Sequence, residues 1–90
     1  MSALTVEISP RALRDLKHLS SHDAAVILDD IETLRALPWP GPPKVKPLKG
    51  TPYVRLRTSH FRSIIVREGQ QAVVLRVVAR RDLDRVLKGL

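Results

Sequence analysis

The sequence predicts an α+β domain of two layers, in which an αα-hairpin covers one face of an antiparallel sheet. Apolar and polar residues alternate in Leu4–Ile8 and again from residue 53 to residue 58, which is the period of a half-buried strand. Apolar residues recur at three- and four-residue spacing between residues 10 and 34, as in an amphipathic helix. Ala72–Val78 is a nearly continuous β-branched run, typical of a central strand. The predicted order is β-α-α-β-β-β with a short C-terminal helix, in one domain spanning residues 1–90.

Serines mark the starts of both predicted helices. Ser9 precedes Pro10, and a serine cap followed by proline at the first helical position is a common helix start. Either Ser20 or Ser21 caps the second helix. The residues expected to face inward are Ala12, Leu13, Leu16 and Leu19 in the first helix and Ala24, Ile27, Leu28, Ile31 and Leu34 in the second.

The stretch from Tyr53 to Val66 predicts two strands joined by a tight turn. A two-residue turn at Ser59-His60 sets the pairs Thr58–Phe61, Arg57–Arg62 and Leu56–Ser63. A three-residue turn would shift the pairing by one residue and scatter the arginines. With the shorter turn, one face carries Arg55, Arg57 and Arg62, and the other carries Val54, Leu56 and Ile65.

The arginine face is the candidate functional surface. Like charges that face each other across strands destabilise the pair, so the fold gains nothing from them, whereas a bound polyanion would offset the repulsion. We expect this face to be left open and the opposite face to pack on the helices. The expected core contacts are those of Val54, Leu56, Ile65 and Leu75 with Leu16, Ile27 and Ile31.

Two further segments complete the prediction. Pro38–Pro43 is a stiff loop, and the ring of Trp39 within it is expected to pack over the end of the core, with a polyproline ligand for another domain as the alternative. Asp82 can cap the short final helix. The residues of that helix expected to face inward are Leu83, Val86 and Leu87.

Charge is concentrated in the second half of the chain. Residues 46–90 hold eleven Lys and Arg against three acids, a balance of +8, whereas residues 1–45 balance at −1. Basic charge gathered in the half that forms the sheet indicates a surface for nucleic acid or an acidic protein, and a solvated basic face is the alternative.

Composition excludes several classes of site. The chain has no cysteine, hence no disulfide and no thiol nucleophile, and it has no HExxH or other paired metal spacing. We therefore expect neither a metal nor a cofactor. The N-terminus lacks the pattern of a signal peptide, and no apolar run approaches the ~20 residues of a membrane span. The prediction is a cytoplasmic protein with no membrane partner.

Five short segments, in order and at matching separations, resemble those of the RelE/ParE toxin superfamily, the toxins of bacterial and archaeal toxin–antitoxin pairs. They are Ser9–Leu16, Pro47–Gly50, Tyr53–Arg57, Phe61–Ile65 and Val77–Asp82. The resemblance implies the toxin of a type II pair, held by a cognate acidic antitoxin in a hetero-oligomer. Members of the RelE type cleave messenger RNA in the ribosomal A site, so the ribosome and mRNA are the further partners that the resemblance implies.

The resemblance also implies a site built from basic side chains. Arg62 matches an arginine that follows an aromatic residue and would stabilise charge on the phosphate. Arg81 matches a terminal arginine that assists the leaving group, and Arg55 matches the basic position of the first hairpin strand. With these three as the catalytic residues, the implied RNA contacts are Lys46, Lys49, Arg57 and Arg80.

Three positions depart from the family pattern. Many members carry a Tyr about three residues beyond the terminal arginine pair and some a His before it, where this chain has Asp84 and Ala79. Arg55 replaces a lysine and is a poor base because guanidinium stays protonated. His60 is a candidate proton carrier or a solvent-exposed turn residue. Three functions remain open: a ribosome-dependent endoribonuclease, a ParE-like inhibitor of DNA gyrase, and a non-catalytic RNA-binding member of the fold.

Overall fold

The computed structural model describes residues 3–90, which form a five-stranded sheet and three α-helices. In chain order the elements are β1 (Thr5–Ile8), α1 (Pro10–Lys17), α2 (Ser21–Thr33), β2 (Val45–Pro47), β3 (Tyr53–Thr58), β4 (Phe61–Glu68), β5 (Gln71–Ala79), a 3-10 turn (Arg80–Asp82) and α3 (Leu83–Lys88). The strands lie in the order β1-β5-β4-β3-β2. None of the helices in this part of the chain is long and apolar enough to cross a membrane.

The predicted fold class is confirmed, with two differences within the sheet. β2 was not predicted: its three residues include a proline, which cannot donate to a ladder and is tolerated on an edge strand. β1 lies parallel to β5, so the sheet is mixed, while β2 to β5 form the expected antiparallel meander. Parallel pairing becomes possible because α1 and α2 carry the chain away from β1 before the meander begins.

The first two helices start at predicted caps, whereas the predicted cap Asp82 makes no side-chain cap hydrogen bond to α3. The Oγ of Ser9 accepts the backbone N–H of Ala12 at 3.1 Å, with proline at the start of α1. Of the two candidates for the second helix, Ser20 is the cap, and its Oγ accepts the N–H of Asp23 at 3.1 Å. Each cap satisfies an N–H that would otherwise lack a partner at the helix end.

The main core lies between the two helices and one face of the sheet. Leu16, Ile27 and Ile31 meet Leu56 and Ile65 there, as predicted. Val54 and Trp39 pack against the same cluster while partly exposed. The indole of Trp39 also donates to the carbonyl of Leu34 at 2.8 Å, which confirms its role at the end of the core.

Three leucines expected in the core lie elsewhere. A register shift between Ile64 and Ile65 leaves Leu75 without a cross-strand partner, and Val74 and Val77 fill the core positions in its place. Leu13 and Leu28 are 45% and 37% exposed, because the two helices turn narrower faces to the sheet than the apolar spacing predicted.

The opposite face of the sheet is only partly open. Val86 of α3 packs on Ile64 and Val78 in a second, smaller cluster, with Tyr53, Leu83 and Leu87 at its margin. The expectation of a fully open face is therefore wrong. The short helix α3 packs its apolar side on this half of the sheet, because burying Ile64 and Val78 away from water is favourable. The other half, near the β3–β4 turn, stays accessible.

Both edges of the sheet carry partners or interruptions. β1 pairs only with Gln71–Val74, and beyond it the Asp15 carboxylate of α1 accepts the N–H of Val77 at 2.9 Å. On the outer side of β1, the N–H of Leu4 donates to the carbonyl of Arg35 at 2.9 Å. The opposite edge is the short β2, which ends at Pro47.

Candidate functional site

The β3–β4 hairpin has the register that the two-residue turn predicts. Arg57 lies opposite Arg62, and the flanking pairs are Thr58–Phe61 and Leu56–Ser63. Ser59 adopts a positive φ of 53°, which supplies the left-handed residue that such a turn requires. Two arginines are thus held side by side on one face of adjacent strands.

The turn is anchored from the helix layer. Asp30 of α2 accepts a hydrogen bond from the Thr58 hydroxyl at 2.5 Å and forms an ion pair with Lys44 at 2.6 Å. Thr58 is the last residue of β3 and is 4% exposed. Because the carboxylate holds the end of the strand, the turn and the arginines next to it have a fixed position relative to the helices.

Arg62 is the most enclosed charge of this face, with a residue exposure of 6%. Its Nη1 donates to the carbonyl of Ser59 at 3.0 Å and to that of Phe61 at 2.9 Å. The turn thus supplies two structural partners for Arg62. Both are neutral, however, so they orient the guanidinium without cancelling its charge.

The surroundings of Arg62 disfavour its charged form. Burial lowers the pKa of Arg62 from its ordinary value, and the neighbouring charges of Arg55, Arg57 and Arg80 lower it further. Guanidinium remains protonated at neutral pH even so. The protein therefore holds a positive charge in a place where both desolvation and repulsion oppose it.

These four arginines line one open cleft of about 420 Å³, together with Leu83 and Asp84 of α3. Arg55 reaches it from β3, where its Nη1 donates to the carbonyl of Pro43 at 3.1 Å. Arg80 follows β5, and its backbone N–H donates to the carbonyl of His60 at 2.7 Å, which ties it to the hairpin turn. Side chains from β3, β4, the 3-10 turn and α3 converge on the cleft.

The acidic side chains that form ion pairs do so away from the cleft. Within residues 3–90, the ion pairs within 4.0 Å are Arg11–Asp15, Arg35–Glu32, Lys44–Asp30, Arg76–Asp15 and Arg85–Asp82. No arginine of the cleft takes part in one. Arg55 and Arg62 donate to neutral backbone carbonyls, and a group of cations without ion pairs matches the needs of an anionic ligand, above all a phosphate, whose oxygens suit the guanidinium fork.

Among the comparisons with known proteins, only the comparison with solved structures finds matches. No family model and no curated protein sequence matches the chain. A chain of the RelBE2 toxin–antitoxin complex from Mycobacterium tuberculosis superposes with a TM-score of 0.73 at 24% identity, covering 91% of this chain and 97% of its own. A chain of the RelB–RelE antitoxin–toxin complex from Methanococcus jannaschii gives 0.69 at 25% identity, covering 87% and 94%. The chain has the RelE toxin fold.

A third solved structure extends the likeness. A conserved hypothetical protein from Helicobacter pylori superposes with a TM-score of 0.59 at 18% identity, covering 89% of this chain and 98% of its own. At that identity it speaks for the fold alone. All three matches span nearly the whole of each chain, so the RelE-like fold accounts for both layers and not for the sheet alone.

The RelE-like fold brings together four of the seven predicted site residues. Arg55, Arg57, Arg62 and Arg80 line the cleft. Lys46 lies opposite Arg55 on the exposed edge strand β2, so it extends the basic face without lining the cleft. Lys49 is an exposed residue of the turn that follows β2.

Arg81 does not line the arginine cleft. It lines a groove of about 760 Å³ together with His60, Phe61, Ala79, Arg80 and Asp84. Arg80 and Asp84 border both this groove and the arginine cleft, so the two spaces adjoin. Among residues 3–90, no three His, Asp or Glu side chains gather in a way that would hold a metal ion.

Sequence reasoning missed that Asp84 borders the cleft. The residue was noted only because it stands where many RelE-type toxins carry a tyrosine. Its place in the cleft depends on α3 folding back over Ile64 and Val78, a long-range contact between short apolar segments. The apolar spacing of Leu83, Val86 and Leu87 indicated that the last helix packs on something, without indicating which face it covers.

Proposed function

We propose that this protein is the toxin of a type II toxin–antitoxin pair and acts as a RelE-like, ribosome-dependent mRNA endoribonuclease. The observation that carries the proposal is the cleft in which Arg55, Arg57, Arg62 and Arg80 converge without an ion pair. Charge that is costly to the fold and left without an ion pair is better explained by a ligand than by stability.

The proposed reaction is attack of a ribose 2′-hydroxyl on the adjacent phosphate. The 2′-oxygen loses its proton and bonds to phosphorus, and the bond from phosphorus to the 5′-oxygen breaks. The 5′-oxygen takes up a proton, leaving a 2′,3′-cyclic phosphate and a 5′-hydroxyl. Negative charge builds on the phosphorane, and donors already oriented towards it stabilise that charge. Arg62 suits this role because two carbonyls fix its guanidinium in place.

The neighbouring residues have supporting roles in the proposal. Arg55 and Arg57 contact the phosphate, and Arg80 and Arg81 stand at the border with the second groove. A leaving group that exits towards that groove would meet Arg81. Lys46 and Lys49 extend the basic surface along the strand of mRNA that enters the cleft, where phosphate contacts position the backbone.

The proposed partner is a cognate antitoxin with an acidic segment. Two of the solved structures that share the fold are toxin–antitoxin complexes. Residues 46–90 of this chain balance at +8, and an acidic segment lying over the arginine face would offset the repulsion there. Because part of that attraction acts between exposed charges, we expect the complex to weaken as salt is added.

The deciding experiment uses purified toxin, ribosomes programmed with a defined mRNA, and mapping of cleavage by primer extension. We expect cuts at the codon in the A site, fragments ending in a 2′,3′-cyclic phosphate, and little cleavage of the same mRNA without ribosomes. Intact mRNA together with inhibited supercoiling by DNA gyrase would overturn the proposal in favour of ParE-like action. Binding to RNA without cleavage would favour a non-catalytic role.

A further inference from the structure

The arginine cleft contains one carboxylate, that of Asp84. This residue lies on α3 and borders both the cleft and the adjoining groove. It is exposed, and it is not among the acids that form ion pairs in the described chain. An acid at the border of the proposed phosphate-binding cleft repels the ligand, so its presence calls for a chemical reason.

Asp84 differs from the other groups of the cleft in what it can do with a proton. The arginines that line the cleft are donors that stay protonated, and Leu83 is apolar. A carboxylate accepts protons. The proposed reaction needs a group that removes the proton of the 2′-hydroxyl, and among the side chains that line the cleft only Asp84 has this chemistry.

We propose that Asp84 is the general base of the reaction, an inference that rests on the proposed function. Its carboxylate takes the proton of the 2′-hydroxyl as the 2′-oxygen bonds to phosphorus and the bond to the 5′-oxygen breaks. Asp84 is then neutral and returns its proton to water. The position at the border of two spaces fits this step, because a phosphate in the arginine cleft would place the ribose on its 5′ side, which carries the attacking 2′-hydroxyl, towards α3.

His60 is the competing proton acceptor. It borders the groove with Phe61 and Arg81 but not the cleft that contains Arg62. A base must lie within hydrogen-bond reach of the hydroxyl that attacks the phosphate held by the arginines. The geometry therefore favours Asp84, and His60→Gln makes the matched test of the alternative.

The experiment compares Asp84→Asn with Asp29→Asn on programmed ribosomes under single-turnover conditions. Both substitutions remove one negative charge, and Asp29 is an exposed residue of α2 outside the cleft. We expect Asp84→Asn to slow cleavage about 10²–10⁴-fold, and Asp29→Asn to cleave like the parent. Asp84→Glu should recover part of the rate. Cleavage by Asp84→Asn at the parental rate, or the same loss in His60→Gln instead, would overturn the proposal.

Binding separates a catalytic role from a structural one. The affinity of Asp84→Asn for a single-stranded RNA whose 2′-hydroxyls are blocked by methylation should equal or exceed that of the parent, because a repelling charge is lost. Slow cleavage with undiminished binding is the signature of a missing base. Slow cleavage with weakened binding and a lowered melting temperature would show that Asp84 acts on the structure.

A substrate with a sulfur leaving group distinguishes removal of the 2′-hydroxyl proton from protonation of the leaving group. With a bridging 5′-phosphorothiolate at the scissile position, the leaving thiolate needs no protonation. A defect in the base should persist on this substrate, whereas a defect in leaving-group assistance should disappear. We expect Asp84→Asn to stay slow and Arg81→Ala to recover. Recovery by Asp84→Asn would contradict the base role. Failure of the parent protein to cleave any programmed mRNA would refute the proposed function itself and is distinct from all of these outcomes.

Discussion

Two arginines on neighbouring strands of the sheet differ in whether an acidic side chain neutralises their charge. Arg76 of β5 has a side-chain exposure of 19% and meets Asp15, whose carboxylate accepts its Nε at 2.8 Å and its Nη2 at 3.2 Å. Arg62 of β4 is more enclosed, yet it has only backbone carbonyls as partners and three other arginines around it. The fold neutralises one charge and leaves the other unneutralised.

This difference indicates which of the two charges contributes to the stability of the fold. A half-buried arginine with a bidentate carboxylate is a structural element, because each group repays the other's loss of water. An enclosed arginine with like charges as neighbours costs stability in the free protein. That cost is consistent with a site that is completed by an anion.

The largest expected effect is on the unneutralised side. Arg62→Ala removes an oriented donor to the phosphate and should slow mRNA cleavage roughly 10²–10³-fold. Expression of this variant should no longer arrest growth, and primer extension should show intact transcripts. Urea unfolding must be measured in parallel, because the Ser59 and Phe61 carbonyls lose their donor. Growth arrest that persists with intact transcripts and inhibited gyrase would contradict the ribonuclease proposal.

The structural side should respond in stability instead. Asp15→Ala leaves Arg76 half-buried without its carboxylate and removes the acceptor of the Val77 N–H. Breaking a buried ion pair from one side typically costs about 3–5 kcal/mol, and the partial exposure of this pair places the expected loss near the lower end. Urea unfolding measures it. Asp29→Ala, on the exposed side of α2, should have a free energy of unfolding close to that of the parent. Equal losses of this free energy in the two variants would show that the Arg76–Asp15 pair does not stabilise the fold.

Ser63 tests whether a poorly satisfied buried group always signals function. It lies beside Arg62 on β4, is 1% exposed, and its Oγ has no hydrogen-bond partner in the described chain. Ser63→Ala should raise the free energy of unfolding by about 1 kcal/mol, since an unsatisfied hydroxyl leaves the core. Cleavage should stay at the parental rate. A loss of cleavage without a loss of stability would place Ser63 in the site and blur the contrast.

The smallest expected effect concerns the pair across the hairpin. Arg57→Gln removes a like charge directly opposite Arg62, so the free energy of unfolding should rise by about 0.2–1 kcal/mol at low salt. RNA binding should weaken, and the slope of log affinity against log salt should fall by about one. Arg14→Gln, an exposed residue of α1, is the matched control and should leave both quantities nearly unchanged. Lower stability in Arg57→Gln would show that the arginines do not repel.

The hairpin could be predicted because two local signals agree. The alternation of apolar and basic residues fixed the faces, and a two-residue turn at Ser59-His60 fixed the register, so Arg57 and Arg62 fell on the right side together. The caps at Ser9 and Ser20 were predictable for the same reason, since each depends on residues within one turn of helix.

Features that depend on distant contacts could not be predicted. The irregularity that displaces Leu75 arises where β4 and β5 meet, and nothing in the run of β-branched residues marks it. The packing of α3 on Ile64 and Val78 depends on tertiary contacts. The position of Asp84 at the cleft, which follows from that packing, could therefore not be predicted. Arg81 was assigned to the site because it matches a terminal arginine of the family, but of Arg80 and Arg81 in the 3-10 turn only Arg80 lines the cleft.

The edges of the sheet bear on how the protein behaves at high concentration. Unpaired N–H and C=O groups along an edge strand are templates for strand addition, and proteins blunt them with short strands, proline or covering segments. Here Asp15 occupies the edge of β5 beyond β1, the carbonyl of Arg35 accepts the N–H of Leu4 just before β1, and β2 is short and ends in Pro47. We expect the free protein to resist edge-to-edge aggregation at high concentration.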